Sequence, residues 1–210
     1  MFESRMQAGR MLGRKLAAYK GKQNVIVLAI PRGGVETGYA IAGELGCPLG
    51  IVVSKKIPYP DQPELAIGAV CNGVIVLDKA FIAARGIGNE YVKREASRLE
   101  SAVKARYREL AGNVPFPELD GKTVILTDDG IATGHTFLAA LDFVGSRKPA
   151  RIVAAVPVCP LESSARLLEK ADEVVVLESP ADFGAVGEWY HDFAQVSDDE
   201  VRKLLESPRL

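Results

Sequence analysis

Apolar residues along this chain alternate between strand-like runs and helical spacing, and the alternation is regular. Asn24 to Ile30 (NVIVLAI) reads as a continuous apolar run, the mark of a strand buried on both faces. Pro31-Arg32-Gly33-Gly34 breaks it, and Val35 to Leu45 returns to helical spacing. Gly50 to Val53 is a second short buried strand, leading into Ser54-Lys55-Lys56. Ahead of these, residues 3–20 read as an amphipathic helix, with Phe2, Met6, Leu12, Leu16 and Tyr19 near helical spacing among Arg and Lys.

Residues 57–65 (IPYPDQPEL) carry three prolines and are expected to form a loop, because proline removes ladder donors. Strand-like pieces at 66–71 and 74–77 flank Asn72-Gly73, a strong hairpin signal. The clearest helix spans 90–110: Val92, Ala96, Leu99, Val103, Tyr107 and Leu110 line one face, and Glu90/Arg94 and Glu100/Lys104 can pair at i,i+4. Strands are expected at 124–127, 151–156 and 173–177, with helices from Thr136 to about Gly145 and from Leu161 to Lys170. Ser197-Asp198-Asp199-Glu200 caps a final helix. Alternating strands and helices predict an α/β fold with a doubly wound, mainly parallel sheet. At 210 residues the chain suits one domain.

With 48% hydrophobic and 25% charged residues, a packed core is expected. Net charge is −1, so any anion site must be local; nucleic acid and anionic membranes are not expected partners. Cys47, Cys71 and Cys159 lie far apart without CxxC spacing, which argues against disulfides or zinc and for a reducing cytoplasm. The first residues lack the apolar stretch of a signal peptide, and no apolar run approaches the roughly 20 residues of a membrane helix.

The chemistry concentrates in residues 124–136, VILTDDGIATGHT. Asp128 and Asp129 follow a strand, where open α/β sheets bind ligands. The amides of Thr133 to Thr136 open a helix, where unpaired N–H groups favour a phosphate. Amides for an anion beside two carboxylates for hydroxyls or a divalent metal suit a phosphorylated sugar.

This segment resembles the 13-residue phosphoribosyl-diphosphate (PRPP) signature of type I phosphoribosyltransferases: four apolar residues, two acids, two apolar residues, then small/hydroxyl-Gly-x-Thr. Thr127 and Gly130 depart from it, standing where the family carries an apolar residue and an aliphatic or serine. The resemblance implies that Asp128 and Asp129 hold the ribose hydroxyls and face Mg²⁺ directly or through water. It likewise implies that Ala132, Thr133, Gly134, His135 and Thr136 take the 5-phosphate. Arg32, Gly33 and Gly34 match the family's diphosphate loop in place and composition. Ser54-Lys55-Lys56-Ile57-Pro58 with Gly68 resembles the basic stretch and mobile loop of orotate and adenine phosphoribosyltransferases, so Lys55 and Lys56 are expected on the diphosphate. Lys56 joins the two acids as an expected catalytic residue.

The family builds a small hood from its chain termini, here residues 1–20 and 179–210 around a core of 24–178. The hood holds the acceptor base. Phe183, Trp189, Tyr190 and Asp192 are candidates for that role; the alternative is that the aromatics close a small core under the hood. The helix at 90–110 has no counterpart in compact members and reads as an inserted covering or dimerisation helix, a homodimer being expected. Ala132 replaces the aspartate of hypoxanthine-guanine-type members, which argues against a 6-oxopurine. The implied reaction is Mg²⁺-dependent transfer of phosphoribosyl from PRPP to a nitrogenous base, releasing diphosphate. A PRPP-binding sensor without turnover is the alternative. Asp129→Ala should lower PRPP affinity and turnover by orders of magnitude while leaving the fold intact.

Overall fold

The structure, a computed structural model, describes residues 1–60 and 62–207, with the backbone alone at residue 64. Its centre is a five-stranded parallel sheet in the order β2-β1-β6-β7-β8. These strands are β1 (Val25–Ala29), β2 (Leu49–Ile51), β6 (Thr123–Thr127), β7 (Arg151–Val158) and β8 (Glu173–Glu178). The apolar runs of β1 and β6 are buried throughout because helices cover both faces. Ile26, Leu28, Val124, Leu126 and Ala154 meet Phe137, Leu141 and Val144 of α5 (His135–Ser146). The alternate residues Val25, Val27, Ile125 and Val153 meet Leu12 and Leu16, and Ile41 and Leu45 of α2 (Gly33–Leu45). Leu12 belongs to α1 (Arg5–Lys15). Truncating Leu12 or Leu141, both almost fully buried, would cost ~2–5 kcal/mol each.

Successive strands run outward from the middle in opposite directions: β1 to β2 one way, β6 through β7 to β8 the other. The sheet therefore has its topological switch point between β1 and β6, where doubly wound folds open a crevice at the carboxyl ends of the strands. Ala29 and Thr127, the last residues of those strands, are register partners. The Pro31–Gly34 turn and the Asp128–Asp129 pair thus leave the sheet side by side.

Residues 57–65 correct the sequence expectation of a loop. β3 (Ser54–Tyr59) and β4 (Gln62–Cys71) form an antiparallel hairpin, and β5 (Val74–Leu77) completes a three-stranded sheet. The prolines are tolerated for positional reasons. β3 is an edge strand and Pro58 sits at register shifts, the two places a missing N–H does no harm. Pro63 lies in a part of β4 that β5 does not reach, since their register runs from Gly68 to Cys71. Residue 61 of that span lies outside the described residues. Asn72 and Gly73 both have positive φ, 41° and 85°, as a type I′ hairpin turn requires.

The long helix α4 (Asn89–Ala111) covers this hairpin with Val92, Ala96, Leu99 and Val103, and meets Val201 of α7 (Asp198–Glu206). Glu100 and Lys104 pair at 2.7 Å as expected, whereas Arg94 turns to Glu95 and the Tyr91 ring instead of Glu90. The last helix carries a complete capping box between Ser197 and Glu200. Two short helices, α3 (Lys79–Ala84) and α6 (Leu161–Leu167), finish the connections. At the N-terminus α1 flanks the sheet, and Phe2 and Glu3 pair with the tail through Phe2–Trp189, Phe2–His191 and Glu3–Asp192 backbone bonds, while Arg5 and Ala8 reach it through their side chains. Among the described residues, no helix is long and apolar enough to cross a membrane.

Candidate sugar-phosphate site at the switch point

The turn after β1 is pressed against the two acids after β6. A Cβ added at Gly33 would lie 1.9 Å from Asp129 Oδ2, and one at Gly34 would lie 2.8 Å from both Asp128 Cα and Oδ1. Glycine at both positions is what allows this approach. The Pro31–Arg32 peptide within the turn is cis.

Each carboxylate is held differently. Asp128 Oδ1 accepts the Asp129 N–H at 2.8 Å. Desolvation, followed by the Asp129 carboxylate, holds the Asp128 carboxyl well above the ordinary range, so this acid keeps its proton longer than a free one. Asp129, with 17% of its side chain exposed, accepts from Arg5 Nε at 2.7 Å. Its backbone carbonyl accepts the Tyr190 hydroxyl.

Arg5 is a candidate site residue that sequence reasoning missed. Its side chain is only 7% exposed, and its guanidinium donates to the Ala194 carbonyl at 2.9 Å. It also lies 3.6 Å from Glu36 and 3.8 Å above the centre of the Phe193 ring. Burial, opposed by Arg5, raises the Glu36 carboxyl. The signal was present: Arg5 falls in helical register with the buried Ala8, Gly9, Leu12 and Leu16, an inward-facing cation on an otherwise apolar stripe. Removal of the Asp129 carboxylate would leave Arg5 with Glu36 at 3.6 Å, the Ala194 carbonyl and the Phe193 ring as its partners, at some cost in stability.

Beyond the acids, Ala132, Thr133, His135 and Thr136 are exposed and Gly134 is half-exposed, so this turn faces solvent. Gly134 caps α5 in the left-handed region (φ 75°), with no side chain bonded to the first amides of the helix. Those amides are the orphan donors of a helix N-terminus. The turn is braced from below: Ser163 Oγ donates to the Ala132 carbonyl at 2.9 Å, and Arg166 reaches the Thr133 carbonyl at 3.4 Å. Gly130, one departure from the family signature, has a local reason. A side chain there would strike Val186 of the tail at 2.5 Å and Val158 at 2.9 Å. Thr127, the other departure, is fully buried and donates to its neighbour's carbonyl.

The remaining predicted residues separate into groups. Arg32 stands at the turn, with its guanidinium 3.9 Å from Asp198 at the start of α7. Lys55 and Lys56 lie exposed on β3. Lys56 lines a cavity of about 890 Å³ between the three-stranded sheet and α5, together with His135, Thr136 and Arg166. Neither acid lines that cavity.

The tail answers the acceptor question in part. Tyr190, 5% exposed, packs between Phe2 and Phe193, with ring centroids at 5.4 and 5.1 Å. Phe183 and Trp189, half-buried, pack against the same small cluster. Tyr190 is therefore withdrawn as a stacking surface. Asp192 is exposed and accepts the Ala194 N–H.

Comparison with known proteins agrees with this geometry. A family model described as the phosphoribosyl transferase domain matches residues 3–200. The structure of TT1426 from Thermus thermophilus is 40% identical, with 97% of each chain covered and a TM-score of 0.86. A protein of Mycobacterium tuberculosis named "Putative phosphoribosyl transferase", in strains CDC 1551 / Oshkosh and H37Rv, is 39% identical over 212 residues. That match covers 98% of this chain and 46% of the relative, so the chain spans about half the length of the curated relatives it matches. On residues 3–200, the chain belongs to the phosphoribosyl transferase domain family.

Proposed function

We propose that the chain binds PRPP at the switch point and transfers its 5-phosphoribosyl group to a nitrogenous base, releasing diphosphate. The observation that carries this reading is the contact of Gly33 and Gly34 with both carboxylates, one strand away from an uncapped helix start. A glycine turn for diphosphate, acids for a diol and amides for a terminal phosphate match the three polar parts of PRPP in order. Asp128 and Asp129 would hold the ribose hydroxyls, residues 132–136 the 5-phosphate, and Gly33, Gly34 and Arg32 the diphosphate. Lys55 and Lys56 would reach the diphosphate from the β3–β4 hairpin.

Among the described residues there is no group of three or more His, Cys, Asp or Glu arranged to hold a metal. Two carboxylates still fit Mg²⁺, which is commonly held by one or two of them plus substrate phosphates. When bound, Mg²⁺ supplies charge neutralisation for the departing diphosphate. The chain's own part is positioning and electrostatic stabilisation of an oxocarbenium-like transition state. Protein nucleophiles play no part in this reading.

The burial of Tyr190 in the tail cluster favours a second reading, a PRPP sensor without turnover, because it removes that ring as a platform for a base. Diphosphate release from PRPP and Mg²⁺, assayed over a panel of purine, pyrimidine and other nitrogen bases, separates the two. Turnover with any base supports the transferase; tight PRPP binding with none supports the sensor; no PRPP binding defeats both.

A further inference from the structure

The guanidinium of Arg5 stands where three parts of the molecule meet. On one side is Asp129, bonded through Nε at 2.7 Å. On another is the tail, through the Ala194 carbonyl at 2.9 Å and the Phe193 ring at 3.8 Å. The third is the glycine turn, since a Cβ on Gly33 would lie 2.8 Å from Arg5 Nε as well as 1.9 Å from Asp129 Oδ2. A surface ion pair is worth little and moves freely. This pair is neither exposed nor free: Arg5 is 7% exposed, bonded to Asp129, bonded and stacked on the tail, and pressed against the glycine turn, which leaves it little room to swing away.

We propose that Arg5 is the positioning residue of the sugar site: it fixes the Asp129 carboxylate against the glycine turn so that the acid meets the ribose hydroxyls in one orientation. The inference rests on the PRPP reading above. Without Arg5, the partly buried Asp129 carboxylate would lose its bonded counter-charge and with it the contact that fixes its orientation against the turn. Lysine would keep the charge but lose the planar fork and the ring stack. Arg5 thereby also ties the seat of the sugar to the fold of the tail.

The test uses the full chain and compares ribose 5-phosphate with 2-deoxyribose 5-phosphate, two ligands that share the phosphate and differ in one hydroxyl. Calorimetric titration of the wild type, Arg5→Lys and Arg5→Gln gives three preference ratios, and a PRPP titration with MgCl₂ accompanies each. The wild type should prefer the ribose form by about 10-fold, the factor expected of a hydrogen bond to a charged group. That preference should fall toward unity in Arg5→Gln and lie between in Arg5→Lys, with PRPP affinity falling about 10- to 100-fold. Arg5→Lys retains the buried charge and serves as the readout if Arg5→Gln does not fold. An unchanged preference in the variants overturns the proposal, and so does an equal loss of both ligands, which is what mere support of the fold would produce. Failure of the wild type to bind PRPP at all is a separate result; it removes the functional reading, and this inference with it.

Discussion

Substituting alanine for Gly33 tests the geometry of the site with one methyl group. The new Cβ would start 1.9 Å from Asp129 Oδ2 and 2.7 Å from its Cγ, whereas ordinary contact begins near 3.4 Å. The carboxylate must therefore retreat, yet Arg5 holds it at 2.7 Å and is itself bonded to Ala194. If the turn shifts instead, the cost is that of overpacking, about 1–3 kcal/mol. If the Arg5–Asp129 pair opens, the cost approaches that of breaking a buried ion pair, about 3–5 kcal/mol. For a chain of this size 1 kcal/mol moves Tm by roughly 2–4 °C, so thermal unfolding of Gly33→Ala should show a loss of at least ~2 °C. Titration with PRPP should show binding weakened by two orders of magnitude or more, since the methyl stands between the proposed diphosphate and ribose seats. A variant with the wild-type Tm and wild-type PRPP affinity would refute the close approach on which the site is built.

Asp128→Asn should stabilise the protein at neutral pH while weakening PRPP binding. The folded chain holds the Asp128 proton to higher pH than the unfolded chain does, so stability falls as pH rises from the ordinary carboxylate range through the raised value. Asparagine removes that loss, at ~1.4 kcal/mol for each tenfold in proton affinity, and Tm measured against pH should show a flatter profile for the variant. Gly134→Ala places a side chain at φ 75° and should cost ~1–2 kcal/mol in denaturant titrations, with weaker competition by inorganic phosphate against PRPP. Tyr190→Phe leaves the Asp129 carbonyl without its hydroxyl donor and should cost about 1–3 kcal/mol, measured the same way.

The parallel sheet was legible because its strands are buried on both faces, so β1 and β6 read as unbroken apolar runs and α4 as a clean helical stripe. The two acids and the phosphate turn were legible for a related reason: they form one continuous segment whose neighbours in sequence are its neighbours in space. The hairpin at 54–71 was obscured by proline, whose usual penalty vanishes at an edge strand and at register shifts. Arg5 was obscured by distance, since its partner lies 124 residues away and a basic residue on an amphipathic helix ordinarily faces water. The fate of the aromatic tail was undecided in sequence because exposed stacking surfaces and small cores use the same residue types. Packing of Phe2 on Tyr190 puts that one ring in a small core.

The most direct measurement is a calorimetric titration of PRPP with Mg²⁺ into the wild type and into Asp129→Asn, an isostere that still offers Arg5 an oxygen acceptor. The account predicts saturable one-site binding by the wild type and a loss of at least ~10-fold in the variant, measured below the unfolding temperature of both proteins. Equal affinity for the two proteins, or no binding by a folded wild type, would contradict it.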